Sequence, residues 1–246
     1  MSKTNIDFSI LDKFGFEINP IGIKFTVEPV EGIPRITKRT TLCDMIKWAQ
    51  DGNVFYPELE DHSCEPALFV LGQGDAAIPY INGKYGVGLQ LFESTRSATR
   101  LYQHIYKIDK GTINYLSFAP VNKMTFDPDI LLITANTNQA EIIMRATSYK
   151  TGDMWESKYT AALGCDWLLV YPYLSGQINR ITTGMGFGMR RRHIFPEGMN
   201  MISIPFDKIA PLMQTLKEMP WVPKPYEPDG LDYVKKLRIG LGLDKP

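Results

Sequence analysis

Asp127-Pro128-Asp129-Ile130-Leu131-Leu132-Ile133-Thr134-Ala135 is a tight polar turn followed by six residues without a charge. An apolar run of that length, bounded by turn residues, has the pattern of a strand covered on both faces, because neither set of alternating side chains is suited to water. Asn138 to Tyr149 follows at once, with Ile142, Ile143 and Ala146 at helical spacing. A strand that runs directly into a helix is the signature of an α/β fold. Asp127 and Asp129, flanking Pro128, resemble paired acids but are read as caps of the turn.

Upstream, Phe8 to Phe16 has the spacing of a short helix stopped by Gly15, and Pro20 to Val27 alternates Ile21, Ile23, Phe25 and Val27 as a half-buried strand does. Thr41-Leu42-Cys43-Asp44 has the form of a capping box opening a helix that ends at Gly52. Glu65-Pro66 opens another, which stops at Gly72 and has Cys64 at its mouth. Gly74 to Gly88 is glycine-rich and reads as a loop with at most a short hairpin, its tip mobile or facing a ligand. Ser94 to Tyr106 gives a third helix and Tyr115 to Ala119 a strand ended by Pro120.

Downstream, Cys165-Asp166 precedes the apolar stretch Trp167 to Val170, and Met199 to Pro205 alternates as a strand. Ile209, Met213 and Leu216 mark a helix with Pro211 expected in its first turn. Pro220, Pro223, Pro225 and Pro228 then space a segment that can form neither a helix nor an inner strand, closed by a short helix from Tyr233 to Leu241. The expected architecture is a single α/β domain over residues 1–219, with a mixed β-sheet flanked by helices, and a Pro-rich C-terminal strap over 220–246. The aromatic surface of that strap points to a homo-oligomer, a dimer first.

Twenty-seven basic residues balance 27 acidic ones with no block of like charge, which removes the electrostatic source of general nucleic-acid or anionic-membrane binding. Met1 to Asp7 lacks a cationic-then-apolar leader pattern, and no apolar run approaches the roughly 20 residues of a membrane span. Three cysteines are too few and odd in number for a disulfide framework, so a cytoplasmic protein with reduced thiols is expected.

Taken together, several stretches resemble the uncharacterised archaeal and bacterial family known as domain of unknown function 169. They are Pro20-Ile21-Gly22-Ile23-Lys24-Phe25, Leu42-Cys43, Ser63-Cys64 with Leu71-Gly72, Phe126 to Leu132, Asn138-Gln139-Ala140, Tyr149-Lys150-Thr151-Gly152, Cys165-Asp166, Tyr171 to Gly176 and Ile204-Pro205-Phe206. The resemblance implies a cytosolic protein of mostly anaerobic microbes, with family cysteines matching Cys43, Cys64 and Cys165, and it implies no activity. A cysteine-containing turn common in relatives is replaced here around Gly186 and Met189, and the tail after Met219 lies outside the resemblance.

All three cysteines fall at expected helix starts, where unpaired N–H groups and the positive dipole end favour thiolate. The 20 and then 100 residues between them are not the spacing of a zinc finger or a ferredoxin, so a common site has to be assembled by the fold. The bland alternative is three unrelated buried thiols. Gathered together, they would suit an iron–sulfur cluster, or a single Zn or Fe ion with an outside fourth ligand. The expected role is redox, cluster-handling or sensing. Gly184, Gly186 and Gly188 with Arg190 and Arg191 behind them match neither a dinucleotide fingerprint nor a P-loop. They form the candidate site of a metal-free module for a small anionic ligand, or else a surface hairpin. A thiol enzyme with Cys64 as nucleophile and His62 as base is the third class, although a histidine in that polar linker reads first as solvated. No catalytic residue is assigned.

Overall fold

Five strands make one sheet in the computed structural model, which describes residues 4–245; Met1 to Lys3, part of the stretch expected to lack a leader pattern, and Pro246 lie outside. They are β1 (Ile21–Thr26), β2 (Tyr115–Pro120), β3 (Ile130–Ala135), β4 (Asn179–Thr182) and β5 (Asn200–Pro205). Their order is β2-β1-β3-β5-β4. The helices are α1 (Leu42–Gln50), α2 (Glu65–Val70), α3 (Ile78–Ile81), α4 (Lys84–Gly88), α5 (Thr95–His104), α6 (Thr137–Ser148), α7 (Tyr171–Ser175), α8 (Phe187–Arg192), α9 (Phe206–Glu218) and α10 (Gly230–Gly240).

The apolar run is the middle strand, and every residue of β3 is buried. Its side chains alternate between two cores. Ile130 and Leu132 join Ile21, Ile23, Phe25, Leu116 and Phe118 on one face. Leu131, Ile133 and Ala135 join Ile202, Ile204 and the apolar sides of α6 and α9 on the other. At about 1.5–3 kcal/mol for each fully buried Ile or Leu, the four in β3 outweigh any single cap, worth about 1 kcal/mol. Packing therefore sets the fold and capping trims its ends.

All adjacent strands are antiparallel, which corrects the expected mixed sheet within the α/β fold. After β3 and α6 the chain does not cross straight back into the sheet. It travels through residues 149–199, laying down β4 and α8, and re-enters as β5 running opposite to β3. β4 itself was not foreseen, since an edge strand reading Asn-Arg-Ile-Thr has one apolar side chain. It is held instead by the buried Asn179 side chain, which donates to the Trp167 and Lys158 carbonyls at 2.6 and 2.9 Å and accepts from the Lys158 N–H at 2.8 Å.

Residues 74–88 differ from the expected loop by holding α3 and α4, with Gly83 at φ +79° between them. A Cβ there would lie 2.5 Å from the Thr95 carbonyl oxygen, so the break needs glycine. Pro211 is the sixth residue of α9 rather than part of its first turn, and has no N–H for the carbonyl four residues back. The paired acids act as ties. Asp129 accepts the Phe25 N–H at 2.7 Å and Lys24 Nζ at 3.2 Å, and Asp127 accepts the Thr4 hydroxyl and the Asn5 N–H at 2.7 and 3.0 Å.

The strap starts on the body. Trp221 lies 4.2 Å from Phe14 by ring centroids and donates its indole N–H to the Leu216 carbonyl at 2.7 Å, while Arg145 donates to the carbonyls of Pro220 and Trp221. Beyond it Tyr226, Leu231, Leu237, Leu241 and Leu243 are exposed. No helix among the described residues is long and apolar enough to cross a membrane.

Gly22 offers a direct test of the packing around β1. A Cβ there would meet Met124 Sδ at 2.1 Å and Pro128 Cβ at 2.9 Å. Gly22→Ala should lower the urea-unfolding free energy by about 1–3 kcal/mol, and an unchanged midpoint would show that the Met124 side chain yields freely.

Candidate functional site

The helices that cover one face of the sheet come from two long excursions, residues 27–114 between β1 and β2 and residues 149–199 between α6 and β5. Where the two excursions meet they leave a cavity of about 350 Å³. Cys43, Cys64 and Cys165 all line it. Cys43 sits in the first turn of α1, behind a capping box in which Thr41 accepts the Asp44 N–H and the Asp44 carboxylate accepts the Thr41 N–H. Cys64 is the N-cap of α2, with Pro66 in that helix's first turn. Cys165 precedes a wide π-type turn, Asp166–Val170, that leads into α7.

The three thiols are half-buried and packed against the core that lies on this side of the sheet. Burial, then the neighbouring Cys64, pushes the Cys43 thiol up to about 12. The Cys165 thiol is driven well above its usual range by burial and by Cys64 and Cys43, and that of Cys64 is raised by burial. The expectation that the helix starts alone would favour thiolate is thereby corrected. Two of those helical segments span six residues or fewer, and desolvation of a charge outweighs a dipole of that length. Arg192 acts the other way, drawing the Cys43 and Cys64 thiols down.

The glycine and arginine candidates divide. Gly186, Gly188 and Arg191 line the cavity, whereas Gly184 and Arg190 do not. Gly184 turns the chain at φ +82°, and Arg190 points toward Glu197, with Nε 3.9 Å from its carboxylate. The segment joins β4 to its antiparallel neighbour β5, and α8 begins within it at Phe187. On a helix, residues three and four after Gly188 share its side, so Arg191 and Arg192 face the cavity and Arg190 turns away. Arg192, next after Arg190 and Arg191, is not singled out when those arginines are read as trailing a turn; a helical register from Phe187 finds it. Tyr80 and Tyr85 from the segment read as ligand-facing, Phe92 just after it and Tyr102 of α5 complete an aromatic wall. Burial, then Tyr80 and Cys165, pushes the Tyr102 hydroxyl up to about 12.

A family model for DUF169, described as Uncharacterised ArCR, matches residues 9–215. The chain belongs to that family. No curated protein and no solved structure matches it. In this DUF169 protein the matched span holds the whole sheet and every residue lining the cavity, and it stops within α9, before the strap.

Two titratable groups lie beside the cavity without lining it. Asp166 is wholly buried, with one oxygen accepting the Tyr106 N–H at 3.2 Å and the other unpaired, and burial pushes its carboxyl up to about 7. His62, expected to be solvated, is 3% exposed, its Nδ1 unpaired, and burial pulls its imidazole down to about 4. It is a neutral core histidine. The folded state resists its protonation, so the stability it contributes is full above pH 6.5 and is lost as pH falls toward 4. Over that range, wild-type protein should lose about 3 kcal/mol of unfolding free energy relative to His62→Gln. Denaturant titrations at pH 7 and pH 4.5 measure the difference, and parallel pH profiles for the two proteins would contradict the assignment.

Proposed function

We propose that this DUF169 protein is a cytoplasmic metal-binding protein of anaerobic metabolism, with an iron–sulfur cluster held by Cys43, Cys64 and Cys165 in a redox, cluster-handling or sensing role. The observation that carries this reading is the meeting of three cysteines, from three separate helical starts and two distant excursions of the chain, in one cavity. Soft thiolates select iron–sulfur clusters, zinc and copper over hard cations. In the raised range, the thiols are uncharged until a cation enters, and its binding would draw their protons off.

Among the described residues no three His, Cys, Asp or Glu side chains are grouped so that they could hold a metal ion as they stand. A lone Zn or Fe ion needs its ligands about 2.0–2.3 Å from one centre. The thiolates of a four-iron cluster bind different irons and stand farther apart, so such a cluster makes the looser demand on the three cysteines. Bound there, it would supply one-electron transfer or an open iron position. The anaerobic and cytoplasmic setting rests on the family resemblance and the sparse, unpaired cysteines. A thiol enzyme is less well supported, because His62 does not line the cavity.

Anaerobic purification followed by iron, zinc and acid-labile sulfide analysis should give iron and sulfide in stoichiometric amounts with a visible absorption band. Cys43→Ser, Cys64→Ser and Cys165→Ser should each remove most of both. A colourless, metal-free protein whose variants match it would end the proposal.

We further propose a homodimer built through the strap, supported by the exposed Leu231, Leu237, Leu241 and Leu243 in and just beyond α10. Removing residues 220–246 should halve the mass measured by light scattering; an unchanged mass would place the interface elsewhere or nowhere.

A further inference from the structure

Arg192 contributes more to the cavity than a charge near sulfur. Its Nε donates to Thr41 Oγ1 at 3.1 Å and lies 3.8 Å from the Asp44 carboxylate, which fixes the base of the guanidinium. Its two terminal nitrogens have no hydrogen-bond acceptor among the described residues, and Arg192 lines the cavity. Arg191, next along α8, lines the same cavity and has no carboxylate partner among the described residues. A planar guanidinium held at Nε, with its remaining N–H groups free, presents the fork that matches a carboxylate in two parallel hydrogen bonds.

Another part of the lining is of a different kind. Tyr80 and Tyr85 pack edge to face at 4.6 Å between centroids, and Phe92, Tyr102 and Phe187 extend the ring surface. A bare inorganic anion would leave that wall unused, whereas a small ligand with an apolar body would cover it. The volume, about 350 Å³, is at the lower end for small-molecule sites. Gly188 faces the same space with nothing within 4 Å of where a Cβ would stand, so this side of the cavity keeps its room.

We propose that the cavity binds a small organic carboxylate, its oxygens on the Arg192 fork with Arg191 beside it and its apolar body against Tyr80, Tyr85 and Phe92. The inference deepens the reading of the same cavity as a thiolate metal site by naming the class of molecule that would occupy the remaining space. It stands on residues other than the cysteines, so the two can fail separately.

Isothermal titration of the purified full-length protein with benzoate, benzamide and inorganic phosphate tests it. Benzoate should bind, benzamide, its neutral isostere, should not, and phosphate should bind more weakly than benzoate. Arg192→Leu should weaken benzoate by about tenfold or more, and Arg192→Lys, which keeps the charge but loses the fork, should recover only part. In metal-free protein, benzoate should also slow iodoacetamide labelling of Cys64, which places the ligand in this cavity rather than on the surface. Equal binding of benzoate and benzamide, phosphate binding tighter than benzoate, or an Arg192→Leu affinity within twofold of wild type would overturn the proposal. If Arg192→Leu does not fold, as judged by its melting curve, the benzoate–benzamide comparison in the unaltered protein decides. Loss of metal in the Cys→Ser variants with benzoate binding retained supports both readings. Benzoate binding by a protein that never carries metal removes the metal centre alone.

Discussion

The structure depends on β3 being shut away from water on both faces. Six consecutive buried residues cannot be satisfied by one layer of helices, since alternate side chains leave the sheet in opposite directions. The α6 and α9 helices, adjacent in sequence to β3 and β5, close one face economically. The other has no such local partner. It is covered by α1, α2 and the turn into α7, elements delivered from far along the chain.

That division accounts for where the cavity lies. A second cleft runs beside α6 on the other face, but the cysteine-lined one lies where the ends of short segments from the two excursions meet. Helix starts face that space: Cys43 on α1, Cys64 at the head of α2, Cys165 before the π-type turn and Gly186 before α8. The polar groups brought there are partly desolvated by the same packing. Burial sets the thiols toward the protonated form, with Arg192 as a counterweight to two of them.

The elements legible from sequence are those whose signal is local. The β3 run, the Thr41–Asp44 capping box and the proline at the head of α2 each state their own structure, and the structure agrees on all three. Strand sense was not legible, because it is decided by the path of residues 149–199 rather than by any residue in β3 or β5. β4 escaped notice because its anchor is a buried asparagine, and the α3–α4 pair because glycine there marks a close approach to Thr95 rather than a loop. In the cavity, the cysteines stood out by residue type alone. Arg192 and the tyrosine wall did not, since arginine and tyrosine are common and only the register of α8 and the placement of α3 to α5 turn them toward the thiols.

One contact joins the fold to the site. Thr41 Oγ1 accepts the Asp44 N–H that caps α1 and also accepts Arg192 Nε from α8, while its hydroxyl hydrogen goes to the Asp44 carboxylate. The cap that orients Cys43 is therefore the same group that seats the arginine beside it. Net hydrogen bonds of this kind are worth about 0.5–3 kcal/mol each, enough to hold two short helices in register but small beside the energy of binding a metal. Through Thr41, a displacement of the α1 start would also displace the base of the guanidinium.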